Sequence, residues 1–157
     1  MTFNNIKKER GFTIVELLIV IVVIGILAAI TIVAYNGVQT RARNSAAQSA
    51  AENMAKKLEA FNAATGTYPV NGPNTVTTQL ATQNESSLTG SGITVGTPTS
   101  AIGSGTVQVK LCGSATLATG ATATGYQVFR WDYTNNAIAS TPDESGGTTT
   151  VCTAQTS

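Results

Sequence analysis

Residues 12–34 form a run of 23 positions, from Phe12 to Ala34, in which only Glu16 carries a charge. At about 1.5 Å per residue a helix of that length reaches roughly 34 Å, enough to cross a bilayer core of about 30 Å. Lys7, Lys8 and Arg10 lie just before the run, and the next basic residue is Arg41. The positive-inside rule therefore predicts a single-pass precursor with a cytoplasmic N-terminus and everything after residue 34 outside. The run is rich in Ile and Val, which are poor helix formers in water. In lipid the backbone must satisfy its own hydrogen bonds, so helix is still expected.

Glu16 needs a reason, because a carboxylate inside a membrane-length helix is costly unless it is shallow or paired. In the uncut chain it sits near the cytoplasmic edge, which lowers the cost. A cut between Gly11 and Phe12 would remove Lys7, Lys8, Glu9 and Arg10 and create an α-ammonium on Phe12. That amine would be an unpaired cation beside an apolar helix. Its natural partner is a Glu16 carboxylate, its own or a neighbour's. Pairing with a neighbour's Glu16 would set an axial stagger between subunits.

The segment Gly11-Phe12-Thr13-Ile14-Val15-Glu16, after a short basic leader and before the apolar run, resembles the class III signal of type IV pilins. The resemblance covers about residues 7–43. It implies a membrane prepilin peptidase that cleaves after Gly11 and N-methylates Phe12. Glu16 falls at the family's acidic position and serves assembly and register. Gly25 matches the family glycine where the helix often melts in filaments, and Tyr35 matches a common tyrosine. Val33 stands where many pilins have a helix-bending proline, which bears on the kink and the extent of melting. An ordinary secretory signal cleaved near Leu27-Ala28-Ala29, or a plain signal anchor, would explain neither Glu16 nor the Gly11-Phe12 junction.

Beyond the run, a helix is expected to continue through residues 35–65, which hold no proline. Val38, Ala42, Ala46, Ala50, Met54, Leu58 and Phe61 recur every three or four residues, one apolar stripe on an amphipathic helix. Glu52 and Lys56 form an i,i+4 pair, and Gly66 with Pro69 marks the stop. Gly66-Thr67-Tyr68-Pro69 also resembles a turn seen in pilins and pseudopilins.

Residues 65–157 change character. Thr fills 22 of these 93 positions, a composition that favours strands and turns over helix. Thr106–Cys112 and Gly125–Tyr133 alternate as strands, Asn135-Asn136 turns into 137–140, and 148–153 reads as a last strand. Along the second strand Tyr126, Val128, Arg130 and Asp132 face one way and Gln127, Phe129, Trp131 and Tyr133 the other, with Phe129 and Trp131 expected in the core. Residues 70–104 read as a long loop region with room for a short helix or strand. Cys112 and Cys152 are the two cysteines, and in an exported domain an even pair reads as one disulfide; two free thiols are the alternative.

The expected fold class is α+β. A leader (1–11) precedes a membrane or filament-core helix (12–34), which continues as an amphipathic helix (35–65). That helix packs on a small antiparallel sheet of three or four strands in a head at 66–157, the type IV pilin fold.

No catalytic constellation is visible, so an enzyme is not expected, and neither a cofactor nor a metal is called for. The chain has no histidine, the commonest general base and metal ligand. Gly103-Ser104-Gly105 lacks the lysine of a phosphate cradle, and Asp143-Glu144 reads as a solvated loop. Asn84-Glu85-Ser86 fits a glycosylation sequon. Without residues 1–11 the chain keeps six Lys/Arg and seven Asp/Glu, so bulk charge does not imply nucleic-acid binding. Arg41 with Arg43 and Lys56 with Lys57 read as solvated or subunit-facing charge.

The resemblance implies a structural subunit of a type IV pilus, a helical homopolymer that ends as an extracellular surface filament for adhesion, twitching motility or DNA uptake. Its partners would be further copies of itself, the membrane, a prepilin peptidase, an assembly ATPase and platform machinery. The alternatives are a pseudopilin of a type II secretion or competence system, or a membrane-anchored binding module that never polymerises.

Overall fold

The computed structural model describes residues 11–72, 75–97, 103–113, 116–148 and 150–154, so the leader lies outside the described residues except for Gly11. Contacts divide the chain into two units, one through Val38 and one from Gln39 onward. A single helix, α1 (Ile14–Thr65), contributes to both. Its sequence holds no proline, and its second half is dominated by Ala, with Arg, Glu and Lys, all good helix formers. It ends where expected: Gly66 adopts φ 79°, a left-handed conformation that only glycine takes without strain, and its N–H reaches the Asn62 carbonyl at 2.7 Å.

In the first unit the apolar run has no protein cover. Each large apolar side chain from Phe12 to Val38 is between 48% and 90% exposed. The helix contains an 18-residue window of mean hydropathy 3.3, long and apolar enough to cross a membrane. A contiguous exposed apolar surface of this size is the kind that marks a membrane or protein interaction.

In the second unit the helix buries Ala47, Ala50, Ala51, Met54, Ala55, Leu58 and Phe61. The stripe therefore starts later than the spacing suggested: Val38, Ala42 and Ala46 are exposed. Alanines occupy several faces of this stretch, so periodicity alone cannot say which of Ala46 and Ala47 faces the head. Glu52 accepts a hydrogen bond from Gln48 Nε2 at 3.2 Å.

The head follows as α2 (Thr75–Leu80), β1 (Thr94–Val95), β2 (Thr106–Gly113), β3 (Gly125–Phe129), β4 (Trp131–Asp132), β5 (Ala137–Ile138), β6 (Glu144–Gly147) and β7 (Val151–Ala154). Strands β2, β3, β6 and β7 pair antiparallel, with β3 next to β2 and β6 and with β7 also on β2. The two-residue β1 adds a parallel pairing to the start of β2, and β4 with β5 makes a separate hairpin. Residues 70–104 thus supply both a short helix and a short strand.

Register decides the core. Val109 lies opposite Val128 and Leu111 opposite Tyr126. With Val107, these side chains pack on Met54, Leu58 and Phe61 of α1. Fully burying a Leu or Met contributes about 1.5–3 kcal/mol. Of the two expected core residues one needs correction. Phe129 is buried, but outside this core cluster and on the opposite face of β3, with Lys110 Nζ 4.3 Å from its ring centroid. Trp131 is half-buried on the separate hairpin. The expected strand 125–133 is interrupted at Arg130, so alternation from Gly125 to Phe129 does not carry through to Trp131.

Tyr68 and Tyr126 meet edge to face at 5.4 Å, and the Tyr68 hydroxyl donates to Glu59 at 3.0 Å. Burial, then the negative Glu59, push the Tyr126 phenol well above its ordinary value, so it stays neutral. Gly146 is required beside this group, because a Cβ there would press on the Glu59 carboxylate and the Tyr126 ring. Glu144 lies in β6, which corrects the expectation of a solvated loop there.

Candidate processing and assembly site

The Gly11–Phe12 bond lies in backbone without regular structure, immediately before the helix. Phe12 is 90% exposed, and a side chain at Gly11 would meet nothing within 4 Å.

Thr13 and Glu16 close the helix start. The Thr13 N–H and the Thr13 Oγ1–H both donate to Glu16 Oε2, at 2.8 and 2.7 Å. The Glu16 N–H donates back to Thr13 Oγ1 at 3.2 Å, and the Leu17 N–H reaches the Thr13 carbonyl at 3.3 Å. This is a capping box: a Thr at the N-cap and a Glu three residues later satisfy each other's orphan donors. The apolar run alone suggests only the future Phe12 amine as a partner for Glu16. The signal was present as Thr-x-x-Glu before an apolar run. The box holds the carboxylate one turn from Phe12, where a new amine would appear.

The other expected residues are separate from this cluster. Gly25 lies within unbroken helix with open space around its Cα, and Val33 is likewise helical. Near Val33, Thr31 Oγ1 donates to the Ala28 carbonyl at 2.9 Å, a bond that loosens a helix locally. Tyr35 is exposed on the same helix. Cys112 and Cys152 are bonded, directly opposite each other on β2 and β7, with Cα atoms 4.0 Å apart. Of the basic clusters, Lys57 Nζ donates to the Glu85 carbonyl at 2.7 Å and Arg43 lies over the Tyr133 ring at 5.7 Å. In the sequon, the Ser86 hydroxyl is fully buried and donates to the Leu80 carbonyl at 2.9 Å. Among the described residues no group of three or more Cys, Asp or Glu side chains is placed to hold a metal ion.

Residues 6–32 match the family described as the prokaryotic N-terminal methylation motif. Its N-terminal segment thus resembles that of type IV pilins. It is similar to the type IV major pilin protein PilE1 of Neisseria gonorrhoeae, 38% identical over 65 residues, which cover 41% of this chain and 30% of that protein. It is also similar to a fimbrial protein of Neisseria meningitidis serogroup A, 38% identical over 63 residues, 40% of this chain and 37% of that one. The likeness thus spans about a third of the length of these curated relatives. No solved structure matches the chain. The long helix packed on a small, mainly antiparallel sheet is the α+β architecture expected of a pilin.

Proposed function

We propose that the chain is the structural subunit of a type IV pilus, stored in the membrane as a single-pass precursor with its N-terminus in the cytoplasm. A prepilin peptidase cleaves after Gly11 and methylates the Phe12 amine. An assembly ATPase and platform machinery then move the subunit out of the bilayer into a surface filament that serves adhesion, twitching motility or DNA uptake. Glu16 pairs with a Phe12 amine and fixes axial register. Gly25, the residue of lowest helix propensity in the apolar run, is where α1 extends. The head contributes a surface and no catalysis.

One observation carries this reading. The apolar half of α1 is uncovered on every side, and it begins two residues after the Gly11–Phe12 bond, whose Phe12 is exposed. A membrane anchor needs only the first feature; a processed, polymerising subunit needs both. The test is cryo-electron microscopy of surface filaments from cells making this chain, with mass spectrometry of the sheared material. Filaments of a chain that starts at methylated Phe12 are expected, and they should be absent in Glu16→Ala cells. A cleaved chain that stays in the membrane without filaments would point to a pseudopilin. An uncleaved monomer would refute both.

A further inference from the structure

We propose that the free edge of β6 takes up an extended segment of a partner protein, one with lysine or arginine at alternate positions, which adds a strand to the head. The site lies wholly in the head and is independent of polymerisation. Strand β6 (Glu144–Gly147) pairs with β3 on one side, and among the described residues no strand pairs with the other. An unpaired edge is a row of N–H and C=O groups ready to bond another chain.

Register shows which groups are open. The Val128 and Thr124 carbonyls accept from the Asp143 and Thr148 N–H groups, both at 2.9 Å, so even-numbered residues along β3 face β6. Their partners in register are Glu144 for Val128 and Gly146 for Tyr126. By the alternation of an antiparallel ladder, Ser145 and Gly147 then turn their N–H and C=O groups outward. Both residues are exposed. Gly147 adopts φ 65°, which ends the regular strand, so Ser145 carries the central pair of bonds. Neither proline nor lysine guards this edge.

The neighbouring side chains select the occupant. A cleft of about 460 Å³ is lined by Glu52, Ala55, Lys56 and Glu59 of α1 together with Tyr126 and Glu144. Glu144 and Gly146 share the face of β6 turned to α1, since a Cβ on Gly146 would press on the Glu59 carboxylate. Three carboxylates there meet one ammonium, and among the described residues none of the three makes an ion pair. Burial first, then the negative charges of Glu59 and Glu144, hold the Tyr126 phenol above its ordinary value, so the cleft carries a negative field. An added strand points alternate side chains to this side, where cationic ones are favoured. A second β6 is the wrong occupant, because it would set two Glu144 side chains against each other. A bare metal ion is also wrong, because among the described residues no group of carboxylates is placed to hold one.

The experiment uses the full isotope-labelled chain in lipid nanodiscs, so its outcome does not depend on filament formation. The probe is a blocked hexapeptide alternating valine and lysine. Its controls carry glutamate for lysine, or N-methyl groups along the edge that would meet β6. NMR titration with the lysine peptide is expected to give saturable shifts at the Ser145 and Gly147 amides and slower exchange of the Ser145 N–H. Neither control should bind. Glu144→Gln, at a side chain that accepts no hydrogen bond within the chain, should weaken binding about three-fold, the scale of one exposed charge pair. The proposal is overturned if the lysine peptide leaves Ser145 unmoved, if either control binds equally well, or if affinity is unchanged in Glu144→Gln.

Discussion

Replacing both cysteines by alanine removes a bridge that spans 40 residues of sequence. In the chain-entropy description a loop of that length confines the unfolded head by about 4 kcal/mol. Nearly a thousandfold of the folded-to-unfolded ratio should then be lost. Double substitution avoids leaving a lone thiol at Cys112, which is fully buried. The assay is urea unfolding of the full chain in detergent micelles, read by Trp131, the only tryptophan, which lies inside the loop. With a slope of about 2 kcal/mol per molar urea, the midpoint should fall by about 2 M. The sheet predicts a second sign. Strand β7 has four residues and its pairing is to β2, so 151–154 should lose amide-exchange protection first. A midpoint shift below about 0.5 M at unchanged slope would refute the loop-entropy reasoning. If protection at 151–154 fell at the same time, the bridge would be a local clip for β7.

Leu58 is fully buried between α1 and the sheet, so Leu58→Ala should cost the head about 2–5 kcal/mol in the same assay, with a smaller loss if the site collapses. Asn44→Ala should release the β4–β5 hairpin from α1 and red-shift Trp131 emission while β2–β3 amide protection stays intact; no shift would show that Asn44 is not the clamp. The backbone N–H of Thr134, helped by Asn135, holds the Asp132 carboxyl below its ordinary value. Its stabilising effect is therefore complete above the usual aspartate value of about 3.9 and fades as pH falls through the lower native value. Trp131 emission should change on acidification in that window, and Asp132→Asn should flatten the profile.

Much of the fold could be read from the chain because strong local signals agreed. An uninterrupted helix through residue 65, a stop at Gly66 and a Thr-rich head of strands all follow from proline placement and composition. The disulfide follows from an even cysteine count in the segment beyond the apolar run. What was not legible depended on tertiary choice. Tyr126 with Val128 and Gln127 with Phe129 are correctly divided by alternation, yet aromatics occupy both faces of β3. The face that meets α1 is settled by register with Val109 and Leu111, which alternation cannot supply. Asp143 leaves the solvent because Arg130, thirteen residues earlier, folds against it. At the candidate site, Gly11, Phe12 and Glu16 are singled out by pattern alone. Thr13 is not legible in the same way, because a charge in an apolar run calls for a cation, whereas the cap that holds Glu16 is uncharged.

That cap allows charge and helix-start geometry to be separated at Glu16. Glutamine also serves at the third position of a capping box, so Glu16→Gln removes the charge and keeps an acceptor for the Thr13 N–H. Thr13→Val does the reverse. It keeps the carboxylate but deletes the hydroxyl that accepts from Glu16 N–H and donates to Glu16 Oε2, a change that costs a helix start about 1 kcal/mol. If register comes from an ion pair with a Phe12 amine, Glu16→Gln should abolish filaments while cleavage and helix content remain normal. Thr13→Val should then still assemble, in lower yield, because the carboxylate is present but less well held. If the carboxylate acts only as a cap, the order reverses: Glu16→Gln would assemble and Thr13→Val would be the poorer subunit. Normal filaments from Glu16→Gln would therefore remove the amine pair from the assembly mechanism and leave Glu16 as the partner of Thr13 alone.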